Sequence, residues 1–348
     1  MTQMTFAEAI NDAMHVALSA DPKLIAFGLG ICDPKAIFGT TSGLQEAFGA
    51  DRVFDIPVSE NALTGLAVGA ALGGYKAVMV HQRFDFALVS IDQIVNSAAK
   101  WFYMFGGTNP VPIVIRVVVG RGWGQGPTHS QALHGWFAHV PGLKVVLPSN
   151  PRDAKGLLLE SIRDPNPVIF VEHRWLHNSI GDVPSGDFAV PLETAKVVRE
   201  GSDVTLVATS LMTVEARRAA AILAQYGVSC EVIDLHTVRP IDWSTIVKSV
   251  SKTGRIVALD IAQKTMSVAG EIVAGVCERC FAVLKSAPVR VCLPDHAVPT
   301  SAGLTKHFYP GTQDVVDTVA NLFDIQPPLV PEATTPSDVP GDWFRGPF

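Results

Sequence analysis

The stretch Asp55-Ile56-Pro57-Val58-Ser59-Glu60-Asn61 joins two segments of different character. Before it, Arg52-Val53-Phe54 reads as a short buried strand. After it, residues 61–74 are predicted as a helix of small and apolar residues, with Asn61 as its N-cap. Gly65, Gly69, Ala70 and Ala71 leave so little bulk on this helix that another backbone can approach closely. Glu60 is a lone carboxylate between a strand end and a helix start, the place where α/β sheets bind ligands. The nearest basic residues in sequence are Arg52 and Lys76. A carboxyl in apolar surroundings holds its proton more tightly and becomes useful for proton transfer. The same residue alone would equally serve as a favourable charge at a helix N-terminus.

On both sides of this stretch, strand and helix patterns alternate. On the N-terminal side, Phe6, Ile10, Met14 and Leu18 fall at helical spacing within residues 5–20, and residues 24–30 read as a buried strand. On the C-terminal side, residues 77–81 form the next strand and residues 84–86 an aromatic turn. Residues 90–105 are predicted as one long helix, with Ile91, Ile94, Val95, Ala98 and Phe102 on one face and Gly106-Gly107 ending it. Residues 113–119 are apolar and β-branched except for Arg116, the pattern of a strand buried on both faces of a parallel sheet. The loop after it has glycine at every second position from 120 to 126, then His129-Ser130-Gln131. That spacing is too flexible for a strand and suits close approach of the backbone to another group. Beyond it come a helix from Asn150-Pro151 and a strand at 168–172. The expected fold class is therefore α/β, with two doubly wound sheet domains. The expected domains are residues 1–185, a smaller unit at 186–326, and a proline-rich tail at 327–348 whose Trp343, Phe344 and Phe348 should dock on this or a neighbouring subunit.

Composition narrows the class of function. Hydrophobic residues make up 48% of the 348 and charged residues 17%, more apolar than a free-standing monomer needs, which predicts an obligate oligomer. The net charge of −6 without a basic run gives no sign of nucleic-acid binding. No apolar run reaches membrane-helix length, and residues 1–21 lack the pattern of a signal peptide. Five cysteines without framework spacing predict a reducing, cytoplasmic setting. Cys277 and Cys280 form a C-x-x-C pair inside a predicted helix with no second pair, so a zinc site is not expected. No phosphate-binding loop, dinucleotide fingerprint or nucleophile elbow is present.

Five segments in register carry a resemblance: Arg52-Val-Phe-Asp-Ile-Pro-Val-Ser-Glu60, Ile91-Asp-Gln-Ile-Val-Asn-Ser-Ala-Ala-Lys100, His129-Ser-Gln131, Pro141-Gly-Leu-Lys-Val-Val146 and Asp153-Ala-Lys-Gly-Leu157. From about residue 4 to residue 325 the chain resembles the beta subunit of the thiamine-diphosphate-dependent first component of 2-oxo acid dehydrogenase complexes (pyruvate, branched-chain and acetoin dehydrogenases). The resemblance implies a pyrimidine-binding domain of transketolase type followed by a transketolase C-terminal-like domain. It implies that Glu60 hydrogen-bonds the cofactor's aminopyrimidine ring and promotes the imino tautomer that deprotonates the thiazolium carbon. It implies that Phe86 stacks on that ring and that His129 handles protons on the substrate. Ser161, Asp164 and Asn166 fall where the family can hold K+ by backbone carbonyls. The Gly-Asp-Gly segment that binds diphosphate through Mg2+ lies on a separate alpha subunit in this family. The likeness therefore implies an α2β2 assembly acting on a 2-oxo acid, with a lipoyl acyltransferase as a further partner. Two features depart from the family pattern: Gly28-Leu29-Gly30-Ile31 stands where an acidic pair is usual, and Asp260-Ile261-Ala262 replaces a more acidic strand end. These leave open a two-component, transketolase-like carboligase without a lipoyl partner. A non-catalytic assembly or regulatory subunit is the alternative outside enzymes.

Overall fold

The computed structural model describes residues 1–122 and 124–331; Trp123 and the aromatic end of the tail lie outside the described residues. The chain divides into two compact units. The first comprises Met1–Arg121 with Thr128–Leu192, and the second comprises Gly122–Pro127 with residues 193–331. The first unit continues past residue 185 to Leu192 because the Val190 amide donates to the Gly156 carbonyl (3.3 Å), and Phe188 and Val190 cover that glycine.

In the first unit, β1 (Thr2–Thr5) pairs antiparallel with β8 (Ile180–Val183). Helix α1 (Phe6–Ala20) follows, opened by a capping box between Thr5 and Glu8. Its Phe6, Ile10, Met14 and Leu18 are all buried, as their spacing requires. The main sheet contains β2 (Leu24–Gly28), β3 (Val53–Asp55), β4 (Lys76–His81), β5 (Ile113–Val119), β6 (Lys144–Val146) and β7 (Val168–His173). Within this unit the strands lie in the order β6-β7-β5-β4-β2-β3, and all are parallel. Every residue of β5 is buried, as expected of a strand covered on both faces. Arg116 within it is neutralised by Glu172 of β7, with Nε 2.6 Å from Oε1.

Helix α3 (Glu60–Leu72) starts earlier than the sequence predicts. The Ser59 carbonyl accepts the Leu63 amide (3.1 Å), so Ser59 is the N-cap residue and Asn61 is exposed within the first turn. The predicted helix at 90–105 is also different: a 3-10 turn (Phe84–Ser90), a π segment (Gln93–Ala98) and α4 (Ala99–Met104). Asn96 reaches Asp92 (2.7 Å) and Ser97 reaches Gln93 (3.2 Å) across the wide turn. The extra residue per turn rotates Ile91 and Phe102 out of the buried face that strict helical spacing assigns them. Helices α2 (Leu44–Phe48), α5 (His134–Ala138) and α6 (Pro151–Arg163) complete the unit, with Asn150 capping α6 through the Asp153 amide.

The second unit repeats the layered plan. Its strands are β9 (Lys196–Arg199), β10 (Val204–Ala208), β11 (Cys230–Asp234), a short β12 (Thr237–Arg239), β13 (Ile256–Gln263) and β14 (Val289–Leu293). Five of them form a sheet in the order β14-β13-β10-β11-β9, parallel except for the antiparallel edge strand β9, which its polar sequence hides from a periodicity reading. Helices α7 (Leu211–Ala224), α8 (Trp243–Thr253), α9 (Val268–Cys280) and α11 (Thr312–Leu322) pack on it, and the short α10 (Ala302–Thr305) precedes α11. Cys277 and Cys280 lie in α9 and are free thiols. The tail begins tied to α11, with Gln313 accepting the Val330 amide (2.8 Å) and donating to the Pro328 carbonyl (3.1 Å). Among the described residues no helix is long and apolar enough to cross a membrane.

Candidate active site

Glu60, Phe86 and His129 follow the C-terminal ends of β3, β4 and β5, so the parallel sheet delivers all three to its carboxyl edge. Helix α3, which begins at Glu60, packs against the 84–90 turn that carries Phe86. The Glu60 side chain is half-buried, and among the described residues no hydrogen bond or ion pair reaches its carboxylate. Its carbonyl accepts the Thr64 hydroxyl (2.8 Å), which secures the first turn of α3.

Phe86 and His129 meet edge to face, with ring centroids 5.5 Å apart and planes at 86°. His129 is exposed on its other side, and its Nδ1 lies 3.1 Å from the Thr128 hydroxyl. The residues flanking this pair bind the same two segments together. Phe84 stacks on Phe137 at 5.5 Å, and Asp85 accepts the Gln131 amide at 2.7 Å. Burial pushes the Asp85 carboxyl up, while the Gln131 bonds and the nearby His129 charge pull the other way. Phe86 and His129 stand out in the sequence, and Asp85 does not. The signal was an acid flanked by Phe84 and Phe86, a position that can only be buried at a cost.

The same edge holds basic groups that periodicity does not single out. The guanidinium groups of Arg83, after β4, and Arg174, after β7, lie over the Phe38 ring at 5.0 and 4.3 Å. His81, at the end of β4, is fully buried, and burial lowers its pKa to about 4, so it is neutral at physiological pH. The turn after β2 has no acidic pair. The Gly30 amide donates to Asp55 (2.8 Å) and the Gln82 amide donates to the Leu29 carbonyl (2.9 Å). A Cβ on Gly28 would sit 2.3 Å from the Val80 carbonyl oxygen, so this strand end tolerates no side chain.

The glycine run divides at residue 122. Gly122, Gly124 and Gly126 have φ of +80°, +69° and +68°, and a Cβ on Gly126 would lie 2.7 Å from the Thr300 hydroxyl. The close approach that the spacing implies is thus made to a neighbouring loop of the second unit. Ser161, Asp164 and Asn166 lie together at the end of α6 and in the turn toward β7. The Ser161 hydroxyl donates to Leu157 (2.7 Å), and Asp164 accepts Lys144 and the Asn166 amide.

The transketolase pyrimidine-binding domain family matches residues 2–178, and the transketolase C-terminal domain family matches residues 193–315. Over 317 residues the chain is 41% identical to the acetoin:2,6-dichlorophenolindophenol oxidoreductase subunit beta of Cupriavidus necator, covering 88% of this chain and 94% of that one. It is 40% identical to the pyruvate dehydrogenase E1 component subunit beta of Rhizobium meliloti, covering 92% and 70%. It is 38% identical to the corresponding Bacillus subtilis subunit, covering 93% and 100%. Among solved structures, a split-gene transketolase described as an inactive beta4 tetramer shares the fold, with TM-score 0.75, 21% identity, and 92% and 99% of the two chains covered. Two domain families in the right order, and identity near two-fifths along almost the whole chain, lead to one conclusion: this protein belongs to the beta subunits of the thiamine-diphosphate-dependent first component of 2-oxo acid dehydrogenases.

Proposed function

We propose that this chain carries the pyrimidine half of a thiamine diphosphate site and, with a separate alpha subunit, decarboxylates a 2-oxo acid and passes on the acyl group. The observation that carries this reading is the Glu60 carboxylate, unbonded among the described residues, at the same sheet edge as the Phe86–His129 pair. The residues fit the group: an aromatic face for stacking, a carboxyl with no competing partner, and an imidazole open on one side. The bound cofactor would supply a nucleophilic carbon and a sink for the electrons left by CO2. Glu60 would exchange a proton with the pyrimidine ring, Phe86 would fix the plane of that ring, and His129 would hold or deliver a proton at the substrate oxygen. The chain has no Gly-Asp-Gly segment, so the diphosphate and Mg2+ are assigned to the alpha subunit. Ser161 and Asp164 have their side chains engaged locally, so K+ at the end of α6 would be held by main-chain carbonyls.

An α2β2 assembly is part of the same proposal, and α3 supports it. Gly69 is exposed mid-helix, and a Cβ there would meet nothing within 4 Å. Glycine at such a position costs about 1 kcal/mol relative to alanine, so the chain's own fold does not call for it. Leu66, Leu72 and Tyr75 on or beside this helix are exposed apolar groups. Gly69→Ala should raise the melting temperature of the unassembled chain and weaken association with partner subunits by about tenfold, a loss of ~1.4 kcal/mol. Thermal melts and sedimentation velocity check the two effects.

The activity test is dye reduction with pyruvate, thiamine diphosphate and Mg2+ in the complex with an alpha-type subunit. Release of CO2 coupled to dye reduction, or to acylation of a lipoyl acyltransferase, supports the reading. The turn at Gly28-Leu29-Gly30, closed by Asp55 and Gln82 where the family carries acids, favours carboligation as the second reading. Transfer to an added aldehyde with no lipoyl acylation would establish that reading instead.

A further inference from the structure

Three consecutive residues of the 84–90 turn each engage the segment after β5. Phe84 stacks on Phe137, Asp85 accepts Gln131, and the Phe86 and His129 rings meet at 86°. Two of these contacts are ring packings, whose orientation preference is weak. Only the Asp85–Gln131 bond, at 2.7 Å, is directional. Asp85 is 8% exposed, and among the described residues its second oxygen, Oδ2, is buried with no hydrogen bond. A carboxyl with one oxygen bonded and the other bare is only partly compensated for its burial. Gln131 lies two residues beyond His129, which is exposed and, among the described residues, hydrogen-bonded only to its neighbour Thr128.

We propose that Asp85 is a positioning residue that, through Gln131, holds the His129 imidazole perpendicular to the Phe86 ring. This rests on the reading that Phe86 and His129 serve one cofactor site. The link fixes the register of residues 128–131 against the 84–86 turn. Without it the Phe86–His129 contact remains possible but is no longer unique, and the imidazole samples several orientations. A proton-transfer group misplaced by about 1 Å loses rate while remote binding contacts persist.

The test uses the assembled complex with its alpha subunit and four beta variants: Asp85→Leu, Asp85→Asn, Gln131→Leu, and Asp85→Leu with Gln131→Leu. Asparagine can still accept the Gln131 amide, whereas leucine fills the space without a bond. Asp85→Leu and Gln131→Leu are each expected to lower kcat by about 10- to 30-fold with the KM for thiamine diphosphate unchanged. The double variant should be no worse than either single one, and Asp85→Asn should recover most of the loss. A second readout is independent of turnover: the imidazole NMR signals of 15N-histidine-labelled protein, with His129 assigned by His129→Asn. A single His129 signal in the parent and in Asp85→Asn, broadened or doubled in Asp85→Leu, is the expected result. Equal losses for Asp85→Asn and Asp85→Leu, additive losses in the double variant, or an unchanged His129 signal in Asp85→Leu would overturn the proposal. If the parent complex turns over no 2-oxo acid, the functional reading fails, and the NMR readout still decides whether Asp85 orients His129.

Discussion

Glu60→Gln should abolish turnover in the reconstituted complex while leaving the chain folded and assembled. The substitution keeps the size of the side chain and removes only its ability to exchange a proton. Positioned acid–base groups contribute about 10²- to 10⁴-fold to rate, and kcat should fall within that range. Stability should change by no more than about 0.5 kcal/mol, because no hydrogen bond or ion pair among the described residues is lost. The measurement is steady-state dye reduction beside a thermal melt and a sedimentation profile. A variant retaining most of its activity would remove the proton role and favour an inert assembly subunit. A variant that loses activity and also falls apart would mean that the carboxylate is structural.

The second large effect is expected in the core. Arg116 and Glu172 are wholly buried on adjacent strands, and His177 Nε2 lies 3.1 Å from the other Glu172 oxygen. Burial alone would push the Glu172 carboxyl up. The Arg116 charge and the bonds from His177 and Arg116 outweigh it and hold the pKa at about 2. Glu172→Ala leaves a guanidinium uncompensated inside the sheet and should destabilise the chain by about 3–5 kcal/mol in urea unfolding. The sign of the pH dependence follows from the lowered value. The contribution is fully present above the ordinary carboxyl value of 4.5 and is lost as pH falls toward about 2. It amounts to about 3 kcal/mol, at ~1.4 kcal/mol for each tenfold change in proton affinity. Replacing both partners with leucine should return much of the stability and flatten the acid limb. Equal acid sensitivity in the parent and the doubly substituted chain would show that this pair does not set the limb.

Much of this architecture is legible in the sequence because strand burial and strand–helix alternation leave periodic signals. The β5 run, α1 and the α6 cap at Asn150 are examples. The strand end before Glu60 marks the ligand edge of the sheet, and the His-Ser-Gln motif marks a second segment that reaches it. Other features leave no periodic trace. The π segment at 93–98 shifts its outward residues by a single extra residue per turn. The four-residue edge strands β1 and β9 have no buried face to alternate. The cap at Ser59 depends on which carbonyl closes the first turn, a difference of two positions from Asn61. Asp85 leaves only a faint signal, an acid between two phenylalanines, and its partner Gln131 is set by the fold, at 2.7 Å. The run of Ala36, Ile37 and Phe38 at positive φ, beneath two guanidinium groups, is likewise absent from any propensity scale.

If this chain holds half of a cofactor site, with Glu60 facing a ring whose diphosphate another polypeptide anchors, thiamine diphosphate binds tightly only to the complex. Calorimetric titration of thiamine diphosphate with Mg2+ tests it, first into the purified chain and then into its complex with the alpha subunit. Binding should be at least about a hundredfold weaker to the chain alone, the ~2.7 kcal/mol or more that the missing diphosphate contacts supply. Tight, Mg2+-dependent binding to the isolated chain would contradict it.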